Sequence, residues 1–214
     1  MKNKIINDDC IKFMENMDSN SVDHVITDIP YDVVSRKSNG IRKFDKEEAD
    51  GLKFDLDKFI EGCTKVAKDS VMIFCASEQV SDLSNLLNKN GFESTLAIWR
   101  KTNPSPVNGQ YIWLSGLECC VVASKGELKE SLKNVVWETP SGRSKIHPTE
   151  KPLVLLKKII ENHTKEGELI FDPCSGIGST LEAAAILNRF WLGIELFNDY
   201  FVNIEKRMEF YQKK

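Results

Sequence analysis

The residues of this chain that could do chemistry begin with Asp28-Ile29-Pro30-Tyr31: an acid, a backbone carbonyl followed by proline, and an aromatic ring in consecutive positions. They follow Val25-Ile26-Thr27, three apolar or β-branched residues that read as a buried strand. The group therefore falls at the carboxyl end of a strand, where open α/β sheets place their ligands. An acid, a carbonyl and a ring suit an exocyclic amino group on a flat base. The first two accept its hydrogens, and the ring stacks on the base once it has left the helix. The plainer reading of the same residues is a strand that ends in an Asp/Pro turn.

A second constellation, Phe171-Asp172-Pro173-Cys174-Ser175-Gly176-Ile177-Gly178-Ser179-Thr180, follows another apolar strand and opens a helix. Gly176 and Gly178 let backbone approach a ligand closely, and Glu195 ends the next strand 195 − 176 = 19 residues later. An acid at about that distance is the expected partner of a ribose hydroxyl. A dinucleotide fingerprint would need glycine or alanine at position 181, where Leu181 stands. Asp172 would repel a pyrophosphate but pair with a cationic amino group, so the turn suits a nucleoside cofactor such as S-adenosylmethionine, with its amino group and sulfonium.

Positioning these groups calls for alternating strands and helices. Strands are expected at 4–7, 22–27, 71–76, 92–99, 117–123, 169–171 and 190–194. Helices are expected from Asp8 or Asp9 through Met17, over 56–67, over 80–87 with a stop at Asn90-Gly91, from Pro152 as first helical residue through His163, over 181–187 and over 200–211. This is an α/β pattern with a mostly parallel sheet, an added antiparallel hairpin and helices on both faces. The 214 residues fit a single domain. Residues 32–53 show no apolar period, and a loop that long is usually functional. It carries Arg36, Lys37, Arg42 and Lys43 without an acid between Val33 and Lys43, a local excess that could meet phosphates. Residues 124–146 are polar and irregular apart from Val135-Val136-Trp137.

The chain is 41% apolar and 29% charged, with net charge −3 and pI about 5.7. No apolar run approaches the roughly 18 residues of a membrane span, and the start lacks a signal-like apolar segment, so the cytoplasm is expected. The six cysteines include no C-x-x-C pair. That argues against a zinc site and against disulfides, and no metal is expected.

Together the two constellations resemble the DNA amino-methyltransferases. Asp28-Ile29-Pro30-Tyr31 is similar to their D-P-P-Y catalytic motif, and Asp172-Pro173-Cys174-Ser175-Gly176-Ile177-Gly178 to their D-P-F-x-G-x-G cofactor motif. His147-Pro148-Thr149-Glu150-Lys151-Pro152 resembles the H-P-T-Q-K-P segment of the beta order, in which the catalytic motif comes first. Asn7-Asp8-Asp9-Cys10 is similar to N-G-D-C, whose acid meets the cofactor adenine, and Trp99-Arg100-Lys101-Thr102-Asn103 to W-x-K-x-N beside the target base. The resemblance spans about residues 4 to 208. It implies a Rossmann-like methyltransferase fold, S-adenosyl-L-methionine as cofactor, DNA as partner and methylation of adenine N6. N4-cytosine methylation, a catalytically silent cofactor-binding subunit and a nucleotide-dependent oxidoreductase stay open beside that reading. A second copy of the chain and a restriction endonuclease are further partners that it allows.

Residue by residue, the resemblance assigns catalysis to Asp28, Ile29, Pro30 and Tyr31. It assigns the cofactor to Asp9, Cys10, Asp28, Thr149, Lys151, Asp172, Pro173, Cys174, Ser175, Gly176, Gly178, Ser179, Thr180 and Glu195. Lys101 and Asn103 join Arg36, Lys37, Arg42 and Lys43 on the DNA side. Ile29 stands where the family usually has its first proline, which leaves the carbonyl in place but less rigidly held. Asp9, Asp172 and Glu195 also have a plainer reading as helix caps. Cys174 lies in the glycine loop and is read as a small lining residue rather than a nucleophile; His24, His147 and His163 are read as structural.

Overall fold

The computed structural model describes residues 1–29, 54–104, 116–126, 134–142 and 150–212. Eight strands of the described residues form one sheet: β1 (Lys4–Asn7), β2 (Val22–Asp28), β3 (Ala67–Cys75), β4 (Glu93–Lys101), β5 (Leu117–Ser124), β6 (Val136–Thr139), β7 (Leu169–Asp172) and β8 (Phe190–Glu195). Their spatial order is β1-β8-β7-β2-β3-β5-β4-β6. Only β5 runs against its neighbours β3 and β4; the other pairs are parallel. The expected mostly parallel sheet with one antiparallel hairpin is therefore present.

Among the described residues, six α-helices cover the two faces: α1 (Cys10–Glu15), α2 (Leu56–Val66), α3 (Val80–Lys89), α4 (Leu153–His163), α5 (Ser179–Ile186) and α6 (Asn198–Gln212). One core joins Met14 of α1, Phe59, Ile60 and Cys63 of α2, and Leu83 and Leu87 of α3 to Val25, Val71, Ile73 and Phe171 of the strands. A second joins Leu155, Leu156, Ile159 and Ile160 of α4, Leu181 of α5, and Ile204 and Met208 of α6 to Ile26, Met72 and Ile170. Neighbouring strand residues thus feed opposite cores, which explains why the central strands read as unbroken apolar runs. Among the described residues no helix is long and apolar enough to cross a membrane.

The structure changes two local expectations. Pro152 is the N-cap of α4, extended at φ −60° and ψ 134°, rather than its first helical residue. The apolar Val135-Val136-Trp137, excepted above from the irregular stretch but not expected as a strand, leads into the edge strand β6 (Val136–Thr139), and Trp137 is fully buried beside Phe74. The irregular segment is shortened accordingly; residues 127–133 and 143–146 lie outside the described residues.

Close packing under the glycine loop leaves little slack. A β-carbon at Gly193 of β8 would come within 2.5 Å of Leu181 Cδ1, 2.6 Å of Ser175 Oγ and 2.8 Å of Ile5 Cδ1. Gly193→Ala should cost about 1–3 kcal/mol by overpacking, read as a lower urea midpoint at unchanged slope. An unchanged midpoint would show that this contact relaxes freely.

Candidate active site

The two motifs meet because of the sheet's connectivity. β2 and β7 are neighbours, but β2 leads through α2 to β3 on one side, while β7 leads through α5 to β8 on the other. Crossovers that diverge in this way open a crevice at the strands' carboxyl ends. Asp28 is the last residue of β2 and Asp172 the last of β7. Thr27 Oγ1 donates to Asp172 Oδ1 at 2.8 Å, tying the two strand ends together.

On the β7–β8–β1 side, the loop after Asp172 is held from within. Cys174 N donates to Asp172 Oδ1 at 3.1 Å, and Ser175 Oγ to the Asp172 carbonyl at 2.8 Å. Gly176 and Gly178 have φ of +55° and +83°, and Gly178 caps α5 in the left-handed conformation, which favours glycine. A β-carbon at Gly176 would meet nothing within 4 Å, so the loop faces open space there. Glu195 accepts from Gly176 N at 2.8 Å and Phe197 N at 2.9 Å, linking the end of β8 to the loop. Asn7 Nδ2 donates to the Glu195 carbonyl at 2.7 Å, which brings Asp9 and Cys10 to the same rim. Asp9 Oδ1 caps α1, accepting from Ile11 N and Lys12 N at 2.9 and 3.2 Å. For that oxygen the plainer reading holds.

Burial sets the electrostatics of this half. Desolvation pushes Asp172 up from 3.8 to about 6 despite its bonds from Thr27, Thr180 and Cys174 N, with the Asp28 charge adding to the rise. It pushes Glu195 up from 4.5 to about 7, again against backbone hydrogen bonds. Hydrogen bonding with Cys10, then burial, hold the Cys174 thiol well above its ordinary value, which argues against a thiolate nucleophile. Ser179 Oγ donates to Glu150 Oε1 at 2.7 Å.

On the β3–β5–β4 side the groups are ion-paired. Lys151 has a nearly buried side chain, and its Nζ contacts Asp28 Oδ2 and lies 3.2 Å from Glu118 Oε2. The ammonium also sits 5.1 Å from the Phe74 ring centroid. Glu118 Oε1 pairs with Lys101 Nζ at 2.6 Å. Burial would raise Glu118, but Lys151 and Lys101 outweigh it and hold the carboxyl below its ordinary value. Lys151, assigned to the cofactor by motif, thus has its ammonium between two carboxylates. The Asn103 amide closes onto Ser141, accepting from Ser141 N at 2.6 Å and donating to Ser141 O at 3.3 Å. Ile29 is buried, and its N–H donates to the Phe74 carbonyl at 3.3 Å. Pro30, Tyr31, Arg36, Lys37, Arg42, Lys43, His147 and Thr149 lie outside the described residues.

Sequence reasoning did not single out Glu118, Glu150 or Arg207. Arg207 of α6 pairs with Glu150 Oε1 at 2.8 Å and Glu182 Oε2 at 2.6 Å and donates to the Ile177 carbonyl, bracing the glycine loop from behind. The signal for Glu118 was a lone acid at the head of the apolar strand Leu117–Ser124. His24, Asp69 and Glu168 bring ligand-type atoms within 4.8 Å of one another. However, the His24 nitrogens are engaged by Ser70 Oγ at 2.7 Å and Glu168 Oε2 at 2.9 Å, four residues upstream of Asp28. His24 is a satisfied core histidine, as read from the sequence.

The model of the N6/N4 methyltransferase family, described as DNA methylase, matches residues 22–206. This chain belongs to that family. It is similar to the Type II methyltransferase M2.DpnII of Streptococcus pneumoniae, 29% identical with 97% of this chain and 91% of the relative covered. It is similar also to M2.MboI of Moraxella bovis, 28% identical over 87% and 80%. Among solved structures, the M1.HpyAVI complex with SAM superposes with a TM-score of 0.73 at 27% identity, covering 96% of this chain and 98% of the other. The PvuII cytosine-N4-specific DNA methyltransferase superposes with a TM-score of 0.72 at 17% identity, covering 98% and 91%, a likeness of fold. The expected DNA amino-methyltransferase and its α/β fold are thereby confirmed.

The raised carboxyls of this DNA methylase make its stability pH-dependent. Asp172 and Glu195 hold protons in the folded state to higher pH than in the unfolded chain, so their stabilising contribution is present below about pH 4 and lost as pH rises towards about 7. Each group contributes a slope of at most about 1.4 kcal/mol per pH unit in its window. Asp172→Asn with Glu195→Gln should flatten the fall in ligand-free stability over that range, measured by urea titration against wild type. Identical slopes would contradict the assigned burial effect.

Proposed function

We propose that this DNA methylase transfers the methyl group of S-adenosyl-L-methionine to the N6 amino group of adenine. The observation that carries the reading is Asp28 at the switch point, joined through Thr27 to the buried acid that opens the glycine loop. The cofactor fits the residues present. Gly176 faces open space, and Asp172 and Glu195 are desolvated carboxyls that an ammonium and ribose hydroxyls would compensate. The loop from Pro173 to Gly178, with Ser179 and Thr180 behind it and Asp9 and Cys10 across the rim, would hold it. When bound, S-adenosyl-L-methionine supplies a methyl group on positively charged sulfur.

The lone pair of an aromatic amine is delocalised into its ring, so the nitrogen attacks poorly while planar. In this reading Asp28 and the Ile29 carbonyl accept its two N–H bonds, favouring tetrahedral geometry and stabilising the positive charge that grows on nitrogen during direct attack. Tyr31 stacks on the extruded base, a contact worth roughly 1–3 kcal/mol. An aspartate opening the motif favours adenine, because the family's cytosine enzymes more often begin it with serine.

Since Lys101 and Asn103 are engaged by Glu118 and Ser141, we assign the phosphate contacts to Arg36, Lys37, Arg42 and Lys43. Contacts of that kind position the duplex without reading its sequence.

Two experiments test this. Mass spectrometry of nucleosides from DNA treated with the wild-type enzyme should show N6-methyladenine; N4-methylcytosine alone would overturn the base assignment. Asp28→Ala should lower turnover by orders of magnitude while S-adenosylhomocysteine still binds, because the lost interaction is made mainly in the transition state. Turnover within threefold of wild type would remove Asp28 from the mechanism. Separately, replacing the four basic residues with alanine should weaken DNA binding uniformly across sequences and reduce the salt slope by up to about 0.9 per lost contact. An unchanged slope would move the phosphate contacts elsewhere.

A further inference from the structure

Four neighbouring strands deliver one group each to the same rim: Asp28 from β2, Phe74 from β3, Glu118 from β5 and Lys101 from β4. Because β5 is antiparallel, its first residues rather than its last reach this rim, with Cys75 paired to Cys119 and Trp99 to Glu118. Lys151 crosses over the set from the segment before α4. The charges alternate along the rim: Asp28 contacts Lys151, Lys151 lies 3.2 Å from Glu118, and Glu118 lies 2.6 Å from Lys101. Glu118 Oε2 is buried and not aligned for a hydrogen bond. Its relation to Lys151 is that of an ion pair whose largest effect on Glu118 is the charge of the ammonium.

That second carboxylate bears on the reaction. An ammonium paired with Asp28 alone would neutralise the group meant to meet a nitrogen becoming positive, and would itself oppose that charge. A second carboxylate 3.2 Å from the same ammonium offsets both effects, more strongly in a partly desolvated site than in water. We propose that Glu118 is a positioning residue for methyl transfer, holding Lys151 as a shared counter-ion so that Asp28 keeps its charge and orientation for the amino group.

The inference rests on Asp28 acting as acceptor, and the test separates the two. Glu118→Gln, Lys151→Met, their combination and Asp28→Ala are compared in the full-length chain under saturating DNA and cofactor, with melting curves to establish folding. Glu118→Gln should lower kcat at least tenfold, with KM for DNA and the affinity for S-adenosylhomocysteine within threefold of wild type. In the Lys151→Met background, where the shared ion is gone, the same change should alter kcat less than twofold, the non-additivity expected of residues acting through one another. This second comparison also serves if Glu118→Gln alone does not fold. Equal factors in both backgrounds would overturn the proposal. So would a Glu118→Gln enzyme within threefold of wild-type kcat while Asp28→Ala is inactive. If Asp28→Ala turns over normally, the catalytic reading itself fails, and the role of Glu118 falls with it.

Discussion

Carboxyl groups gathered at one sheet rim must be compensated, and the arrangement of this protein follows from how that is done. Asp28, Glu118, Asp172 and Glu195 all come from strand ends on the same edge. Each taken from water without a partner would cost several kcal/mol or give up its charge. Two solutions are used. Beside β3 and β5, Lys151 and Lys101 supply counter-charges and hold Glu118 ionised. Beside β8, no side-chain cation among the described residues pairs with Asp172 or Glu195; backbone and hydroxyl donors provide part of the compensation, and both carboxyls rise. The half with lysines is charge-complete, whereas the other would gain from a cation.

That difference gives the two halves distinct chemistry from one scaffold. A cationic ligand settling on the glycine-loop side would relieve desolvated acids and draw them back towards ionisation. The crevice thus favours a sulfonium and an ammonium over a phosphate. On the other side, the pair of Asp28 with Lys151 keeps a carboxylate at the boundary between the halves, about one-third exposed. Arg207 contributes from a third direction, tying Glu150 and Glu182 to the loop carbonyl of Ile177, so that the segment carrying Lys151 and the glycine loop share one brace.

Much of this was legible in the sequence, for physical reasons that also mark where reading had to stop. Strand ends, glycine turns and acids at fixed short spacing are local, and Asp28, Asp172, Gly176, Gly178 and Glu195 reach one rim because a doubly wound sheet delivers every parallel strand end to the same side. The pairing of Lys151 with Asp28 spans 123 positions, and no periodicity connects residues that far apart. Glu118 was hidden for another reason: only an antiparallel β5 brings the head of that strand to the rim. Val135-Val136-Trp137 stands out in the sequence as apolar but not as a strand, because a four-residue edge strand carries too few alternations to establish a period. Pro152 was placed one position too far into its helix, a usual margin at helix ends.

The substitution of Ile29 for proline shows how a departure from a motif can be compensated by the fold. Proline restricts the chain through its ring but has no N–H to donate. With isoleucine, the N–H donates to the Phe74 carbonyl and carries the β2–β3 ladder one residue past Asp28. The side chain is buried in the core with Val25, Val71 and Ile73, and a β-branched residue there is stiff about its own χ1. The sequence alone suggested a carbonyl held less rigidly. In the fold, a hydrogen bond and a packed side chain substitute for a ring, and Phe74, whose carbonyl anchors Ile29, also lies beneath the Lys151 ammonium. The end of β3 therefore supports both the carbonyl after Asp28 and the cation beside it, so a change that shifts this strand end would disturb the two together.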